Sequence, residues 1–444
     1  MTETNIKKQI IDFAWPVLVS TVFTELYNIT NSAIVGNYVS LEALSAVSAC
    51  TWICNIFSYL FFGLGMGAGI VVSRNIGKND KHQLFLSIDT AIIFGIVGGT
   101  ILTILSEIFL PLLMKISNIN SDIYALAYQY LRVYFIGNVF SFTYNISHNI
   151  MRSFGHTKQL LYYSIISCLV NLGLGILFVR VFDLSVVGTS LATIISQFVS
   201  LICCFVFLAD NDLIETKICK YEFSLPMAIE IFKIGIPAGF QNMLIALSSL
   251  MIQSQVNLFP NEFISGFGVG EKVANWGQRV SNAFSSATLM LVARYMGGEE
   301  YDKARLTIKT SLKLSNIYNT LVIIVLFIFA PQLATLFNRN QEIIAYATQT
   351  IRFTLCSFLF LNFSHIYNHA CRAAGNVKMP MFIAIFTQAI CKYLFVTIGL
   401  KIVFSKYIIY FGNVIGFSLA GIIAFIYFNT SKWTLENHLR IKKN

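Results

Sequence analysis

The sequence predicts an all-α polytopic membrane protein, with twelve transmembrane helices in two six-helix lobes related by a parallel internal repeat. Three observations carry this. The 444 residues are 56% hydrophobic and 12% charged, with mean hydropathy +0.68, whereas a soluble domain carries about 25% charged residues. Apolar runs of spanning length recur without the period-two alternation of barrel strands. The first half also returns in the second: Arg74 and Arg294, Arg132 and Arg352, Arg152 and Arg372, Gly155 and Gly375 all stand 220 positions apart.

The spans fall at roughly 13–37, 46–73, 88–112, 124–151, 158–180, 186–209, 232–258, 264–293, 309–335, 344–371, 379–402 and 407–429. The repeat also pairs Asn55 with Asn275, Gly77 with Gly297, Pro111 with Pro331, Gln129 with Gln349 and Lys158 with Lys378, while Pro16 meets Pro237 with a slip of one. Six spans precede the polar stretch from Asp210 to Pro226 and six follow it. The expected organisation is an amino-terminal lobe at 1–209, a cytoplasmic linker at 210–228, a carboxy-terminal lobe at 229–429 and a cytoplasmic tail at 430–444. An even helix count per repeat gives both lobes the same orientation, with a seam between them where a solute can be held and handed across.

About 21 of the 31 Lys and Arg fall in the segments placed inside, and about 5 outside. This asymmetry puts both termini in the cytoplasm of a multi-pass plasma-membrane protein. The net charge of +10 reads as topology and attraction to anionic lipid, not as nucleic-acid binding. The amino terminus shows no cleavable signal, and the nine cysteines lie scattered without a C-x-x-C pair, as packing residues. No nucleotide-binding loop or hydrolase motif occurs, so the reading is a non-enzyme without cofactor or metal, acting as a monomer.

Polar residues inside apolar spans mark the candidate site. Glu25 shares a face of the first helix with Thr21, Asn28 and Ser32. Glu271, Asn275, Gln278 and Asn282 form a stripe on the eighth helix, with Lys272 and Arg279 alongside. Gln241 and Gln253 lie on the seventh helix, Asn138, Asn145, His148 and Arg152 on the fourth, and His365, His369 and Arg372 on the tenth. Such faces are costly in lipid and default to a hydrated cleft, with polar glue between helices as the alternative. Glu271 is either a coupling carboxylate or the neutralising partner of Lys392 or Lys272. Arg74 with Gly77, Arg152 with Gly155, Arg294 with Gly297 and Arg372 with Gly375 place a cation at a helix carboxyl end beside a turn-permitting glycine, as hinge or latch candidates or as ordinary caps.

The chain carries Leu26-Tyr27-Asn28 followed by Val35-Gly36, the run Gly63-Leu64-Gly65-Met66-Gly67, Arg74 with Gly77, the Arg152/Gly155 joint, Asn171, Gly235-Ile236-Pro237, and the second copy. In this order, from Phe13 to Phe428, it resembles the multidrug and toxic compound extrusion (MATE) transporters. It implies two six-helix lobes that export amphipathic, often cationic organic compounds by alternating access against an inward flow of H+ or Na+. Members commonly carry Asp where this chain has Asn31, and many carry Asp where it has Gly175, four residues after Asn171. The ion-coupling candidates are therefore Glu25, Asn31, Asn171 and Glu271. Asn28, Asn138, Asn145, Gln241, Gln253, Asn275, Gln278, Asn282, His365, His369 and Lys392 are the candidates for a cleft that takes a small amphipathic organic substrate. Three functions stay open: ion-driven export of such compounds, flipping of an anionic lipid-linked precursor, and a non-transporting role on the same scaffold.

Overall fold

A computed structural model describes residues 3–117, 119, 121–211, 222–436 and 439, and their side chains except at 3, 25–38, 41 and 435. Helices cover every predicted span. They are α1 (Glu3–Tyr38), α2 (Leu41–Lys78), α3 (Lys81–Ile116), α4 (Ser121–Ile136), α5 (Asn138–Phe154), α6 (Thr157–Ile176), α7 (Ser185–Asp210), α8 (Leu225–Val256), α9 (Asn261–Gly297) and α10 (Tyr301–Ile328). The chain continues with α11 (Ala330–Thr335), α12 (Gln341–Cys356), α13 (Phe358–Ala373), α14 (Lys378–Ala384), α15 (Lys392–Ile402), α16 (Lys406–Thr430) and α17 (Lys432–Glu436). Short π-helical stretches follow α6 at Leu177–Val181 and join α14 to α15 at Ile385–Cys391.

The repeat holds in the backbone. α4 begins at Ser121 and α12 at Gln341, 220 positions on, and their ends at Ile136 and Cys356 keep that interval. Each then breaks, at Gly137 and Ser357, before α5 and α13 complete the span; α12 and α13 meet at 45°. Four left-handed residues are paired likewise, Asn79 with Glu299, both at φ 57°, and Gly155 at 86° with Gly375 at 108°, whereas left-handed Asp183 and Ser185 have extended counterparts at Val403 and Ser405. Gly155 N–H donates to Arg152 O at 3.0 Å and His156 N–H to Met151 O at 3.1 Å, and Gly375 and Asn376 make the same two bonds to Arg372 and Cys371. At the other joint the turn is taken by Asn79 and Glu299, because the helices run through Gly77 and end on Gly297.

A Cβ at Gly155 would meet nothing within 4 Å, so the glycine answers to backbone conformation alone. Gly155→Ala is expected to cost about 1–2 kcal/mol, the left-handed penalty of an L-residue. Gly173 is equally open but helical, and Gly173→Ala should stabilise by up to about 1 kcal/mol. Thermal unfolding in detergent measures both, and equal shifts would refute the backbone argument.

Packing inverts the pattern of a soluble core. On α3 the exposed side chains include Ile101, Ile104, Ile108 and Leu112, while Ser87, Thr90, Gly95, Gly99 and Ser106 are buried. Small and hydroxyl side chains let membrane helices approach closely while apolar ones meet acyl chains. Among the described residues eight helices are long and apolar enough to cross a membrane, or nine counting the broken α12–α13 pair as one span. The 37-residue α9 is not among them, since it carries Glu271, Lys272, Arg279 and four amides, yet many of its residues are buried.

The helices group into two compact units, Trp15–Gly239 and Phe240–Asn444 with Met1–Ala14. The division falls inside α1 and α8, close to Pro16 and Pro237, which remove a helix hydrogen bond at matching places in the repeat. In the first unit the start of α8 lies on α2: a Cβ at Gly235 would stand 2.6 Å from Leu64 Cα, and one at Gly67 2.5 Å from Ile231 O. Beside this contact Arg74 Nη1 donates to Glu230 Oε1 at 2.8 Å. In the second unit Tyr295 Oη at the end of α9 donates to Gln9 Oε1 of α1 at 2.9 Å.

Candidate functional site

The second unit holds a carboxylate inside its helix bundle. Gly270 brings α9 against α12, where an added Cβ would stand 2.7 Å from Thr350 Cγ2 and 2.9 Å from Ala347 O. The next residue, Glu271, keeps partial exposure and reaches the break between α12 and α13. Its Oε1 accepts from Asn413 Nδ2 at 2.7 Å and from Thr354 Oγ1 at 3.3 Å, and Asn413 Nδ2 also lies 3.2 Å from Thr354 Oγ1. Asn413 and Thr354 are buried.

Lys392 faces this group. It is the first residue of α15, directly after the π-helical stretch Ile385–Cys391, which re-aims the side chains that follow it. Its stem lies against Gly416 of α16, where a Cβ would come within 3.1 Å of Lys392 Cβ, and its Nζ stands 5.6 Å from the Phe417 ring centroid. Lys392 is buried and interacts electrostatically with Glu271. Two irregular backbone features, the helix break at Ser357 and the π-helical stretch, thus serve one site together with the close helix approach at Gly270.

A second polar group lies in the same unit. Arg372 Nη2 donates to Gln241 Oε1 of α8, and Arg372 acts electrostatically on His365 and His369. The two imidazoles are near-parallel, 6.3 Å apart at 18°, with His369 Nδ1 2.8 Å from His365 O. The repeat explains the cluster. His365 and His369 stand 220 positions after Asn145 and Asn149, and Asn368 stands 220 after His148. Amide and imidazole have changed places while the arginine stayed, half-buried at Arg152 and buried at Arg372. Asn149 Nδ2 bonds Asn145 O at 2.8 Å, the same i-to-i+4 contact that His369 makes.

In the first unit Asn145 Nδ2 donates to Ser141 O at 2.8 Å, and Ser141 Oγ donates to Gln197 Oε1 of α7. Asn138 Nδ2 reaches Ser106 Oγ at 3.2 Å. Asn171 is fully buried, and neither polar atom of its side chain has a hydrogen-bond partner among the described residues. Gly175 is buried one turn on, so no carboxylate stands there.

Of the sequence candidates, the structure brings together Glu271 with Lys392, and Gln241 with His365, His369 and Arg372. Gln253 instead donates to Asn257, in the turn just after its own helix, at 3.0 Å; Asn275 is exposed, and Gln278 and Asn282 are half-buried. The side chains of Glu25, Asn28 and Asn31 lie outside the described residues. Sequence reasoning missed Asn413, Thr354 and Gln197. An amide in the middle of an apolar run of α16 was the available signal for the first. Among the described residues no three His, Cys, Asp or Glu side chains are grouped to hold a metal ion.

The MatE family model matches residues 16–177 and 237–398, one copy in each repeat. The chain is 25% identical over 438 residues to "Probable multidrug resistance protein YpnP" of Bacillus subtilis (strain 168), covering 97% of each chain. It is 24% identical over 389 residues to "Multidrug export protein MepA" of Staphylococcus aureus (strain MSSA476), covering 86% of this chain and 85% of that one. A MOP superfamily transporter from Pyrococcus furiosus, described as having a binding pocket of reverse polarity, superposes with TM-score 0.88 at 19% identity over 99% of this chain and 97% of that one. A MATE family transporter in an outward-facing conformation superposes with TM-score 0.88 over 98% and 96%, also at 19% identity. With both repeats matched by one family model and the fold shared across nearly the whole length, this chain belongs to the MatE family of polytopic membrane transporters.

Proposed function

We infer that the chain is a secondary-active exporter of small amphipathic organic compounds, driven by a proton or sodium gradient and working by rocker-switch alternating access. The observation that carries the coupling is Glu271, a carboxylate inside a membrane-embedded bundle, held by Asn413 and Thr354 and faced by Lys392. An ionisable group at such depth is costly unless it binds or moves charge. The multidrug names of the relatives support the substrate class, and the absence of a nucleotide loop supports an ion gradient as the energy source. In this reading the protein acts as a monomer in the plasma membrane, and the distribution of Lys and Arg supports both termini being cytoplasmic.

The test is efflux of charged dyes from proteoliposomes under imposed proton and sodium gradients. Efflux under at least one gradient, and none without, is the expected result. A protein that moves no dye under either gradient is not an exporter of this class. A second reading, translocation of an anionic lipid-linked precursor, is favoured by the buried cations Lys392 and Arg372 set against the single acid Glu271 in the polar groups of the second unit. Transfer of a fluorescent anionic lipid between leaflets, with cationic dyes left unmoved, would establish it in place of the first.

A further inference from the structure

The geometry points to Lys392 as a tethered cation: its ammonium supplies the positive charge that a bound sodium ion would bring to Glu271, so this carboxylate exchanges protons and transport needs no sodium. This rests on the export reading and names its coupling ion.

A monovalent cation held inside a membrane protein needs a negative charge and a shell of neutral oxygens. Glu271, the Thr354 hydroxyl and the Asn413 side chain are groups of that kind, drawn together from α9, α12 and α16. In this chain the Asn413 amide turns its Nδ2 donor toward the carboxylate at 2.7 Å, an orientation that suits an anion and not a cation at that place. The positive charge comes instead from Lys392.

The lysine is built in. Glycine at 416 leaves room for its stem, and Phe417 offers a ring face 5.6 Å from its ammonium. Burial of an ammonium without a counter-charge is costly, and Glu271 provides that charge. Yet the hydrogen bonds that fix Glu271 come from neutral donors. The ammonium stands off over the ring, and no ion pair within 4 Å joins the two among the described residues. A direct contact would hold the carboxylate ionised, whereas an offset charge lets it take up and release a proton.

No neighbouring group duplicates the role. On α9, Lys272 is exposed. On α16, Tyr410 stacks on Phe353 at 5.3 Å, and on α15, Tyr393 packs on the apolar cluster of Val256 and Ile409. On α12, Arg352 lies over the Phe327 ring at 5.1 Å, and Arg372 of α13 is committed to Gln241. Lys392 is the charged group that acts on Glu271.

The experiment uses the full chain and two readouts. In proteoliposomes, wild-type efflux driven by a proton gradient should be the same in sodium-containing and in sodium-free choline buffer. In Lys392→Ala, efflux should become sodium-dependent, rising on the order of tenfold as sodium is added. Independently, thermal unfolding in detergent should shift upward with sodium, and not with choline, in Lys392→Ala alone. Lys392→Gln, which keeps most of the stem, serves where the shorter side chain does not fold. Sodium stimulation or sodium stabilisation of the wild type overturns the proposal, and so does a variant without any sodium response. Wild type that moves no dye under any gradient defeats the export reading, while the unfolding comparison still decides the role of Lys392.

Discussion

Glu271→Gln is expected to leave a folded protein whose gradient-driven efflux has fallen by at least about tenfold, the loss of at least about 1.4 kcal/mol of coupling. The amide keeps the shape of the carboxylate and an oxygen to accept from Asn413 and Thr354, so the local hydrogen bonds survive. What it loses is the ability to hold and release a proton. It also strands Lys392: removing one partner of a direct buried ion pair costs about 3–5 kcal/mol, and this offset pair should cost less. The single variant should therefore unfold earlier as well as transport less. Adding Lys392→Met separates the two effects: the double variant should regain stability, since a neutral pair of similar volume replaces the charges, but not efflux. Efflux that persists in Glu271→Gln would remove this residue from the coupling step.

The helices, the repeat and the polar groups were legible to different degrees, for physical reasons. Apolar length and the 220-residue interval are local properties of the chain, so the spans and the paired turns at Gly155 and Gly375 could be read directly. The link between Glu271 and Lys392 was also readable, because two opposite charges in apolar helices must answer one another. Asn413 and Thr354 were not, because each is an isolated polar side chain whose partner is chosen by packing among α9, α12 and α16. The left-handed Glu299 was hidden too: glutamate carries no signal for that conformation, and only its repeat partner Asn79 does. The polar stretch after Asp210 marks where the repeat ends, while the compact units divide near Pro16 and Pro237, where close contacts among glycines, invisible to hydropathy, decide which helices group.

Those glycines set the second large effect. α2 carries Gly63 and Gly67, and α8 carries Gly235 and Gly239, four apart on each helix and facing one another. A methyl group at 235 would stand 2.6 Å from Leu64 Cα and 2.9 Å from Gly63 O, and one at 239 would stand 3.0 Å from Tyr59 O. The first clash is with backbone, which cannot rotate away; the second asks for a shift of a few tenths of an ångström. Gly235→Ala should therefore cost about 1–3 kcal/mol or more, the range for overpacking, and Gly239→Ala clearly less. Gly63→Ala presses on the same contact from the other side, so the double variant Gly63→Ala/Gly235→Ala should cost less than the sum of the singles, once the helices have already been forced apart. The equivalent positions in the second repeat are Ala283 and Ala287, both buried, so a methyl group is tolerated in that copy. Thermal unfolding in detergent orders the set. Should Gly239→Ala prove as damaging as Gly235→Ala, close backbone approach at Leu64 is not what joins α8 to α2.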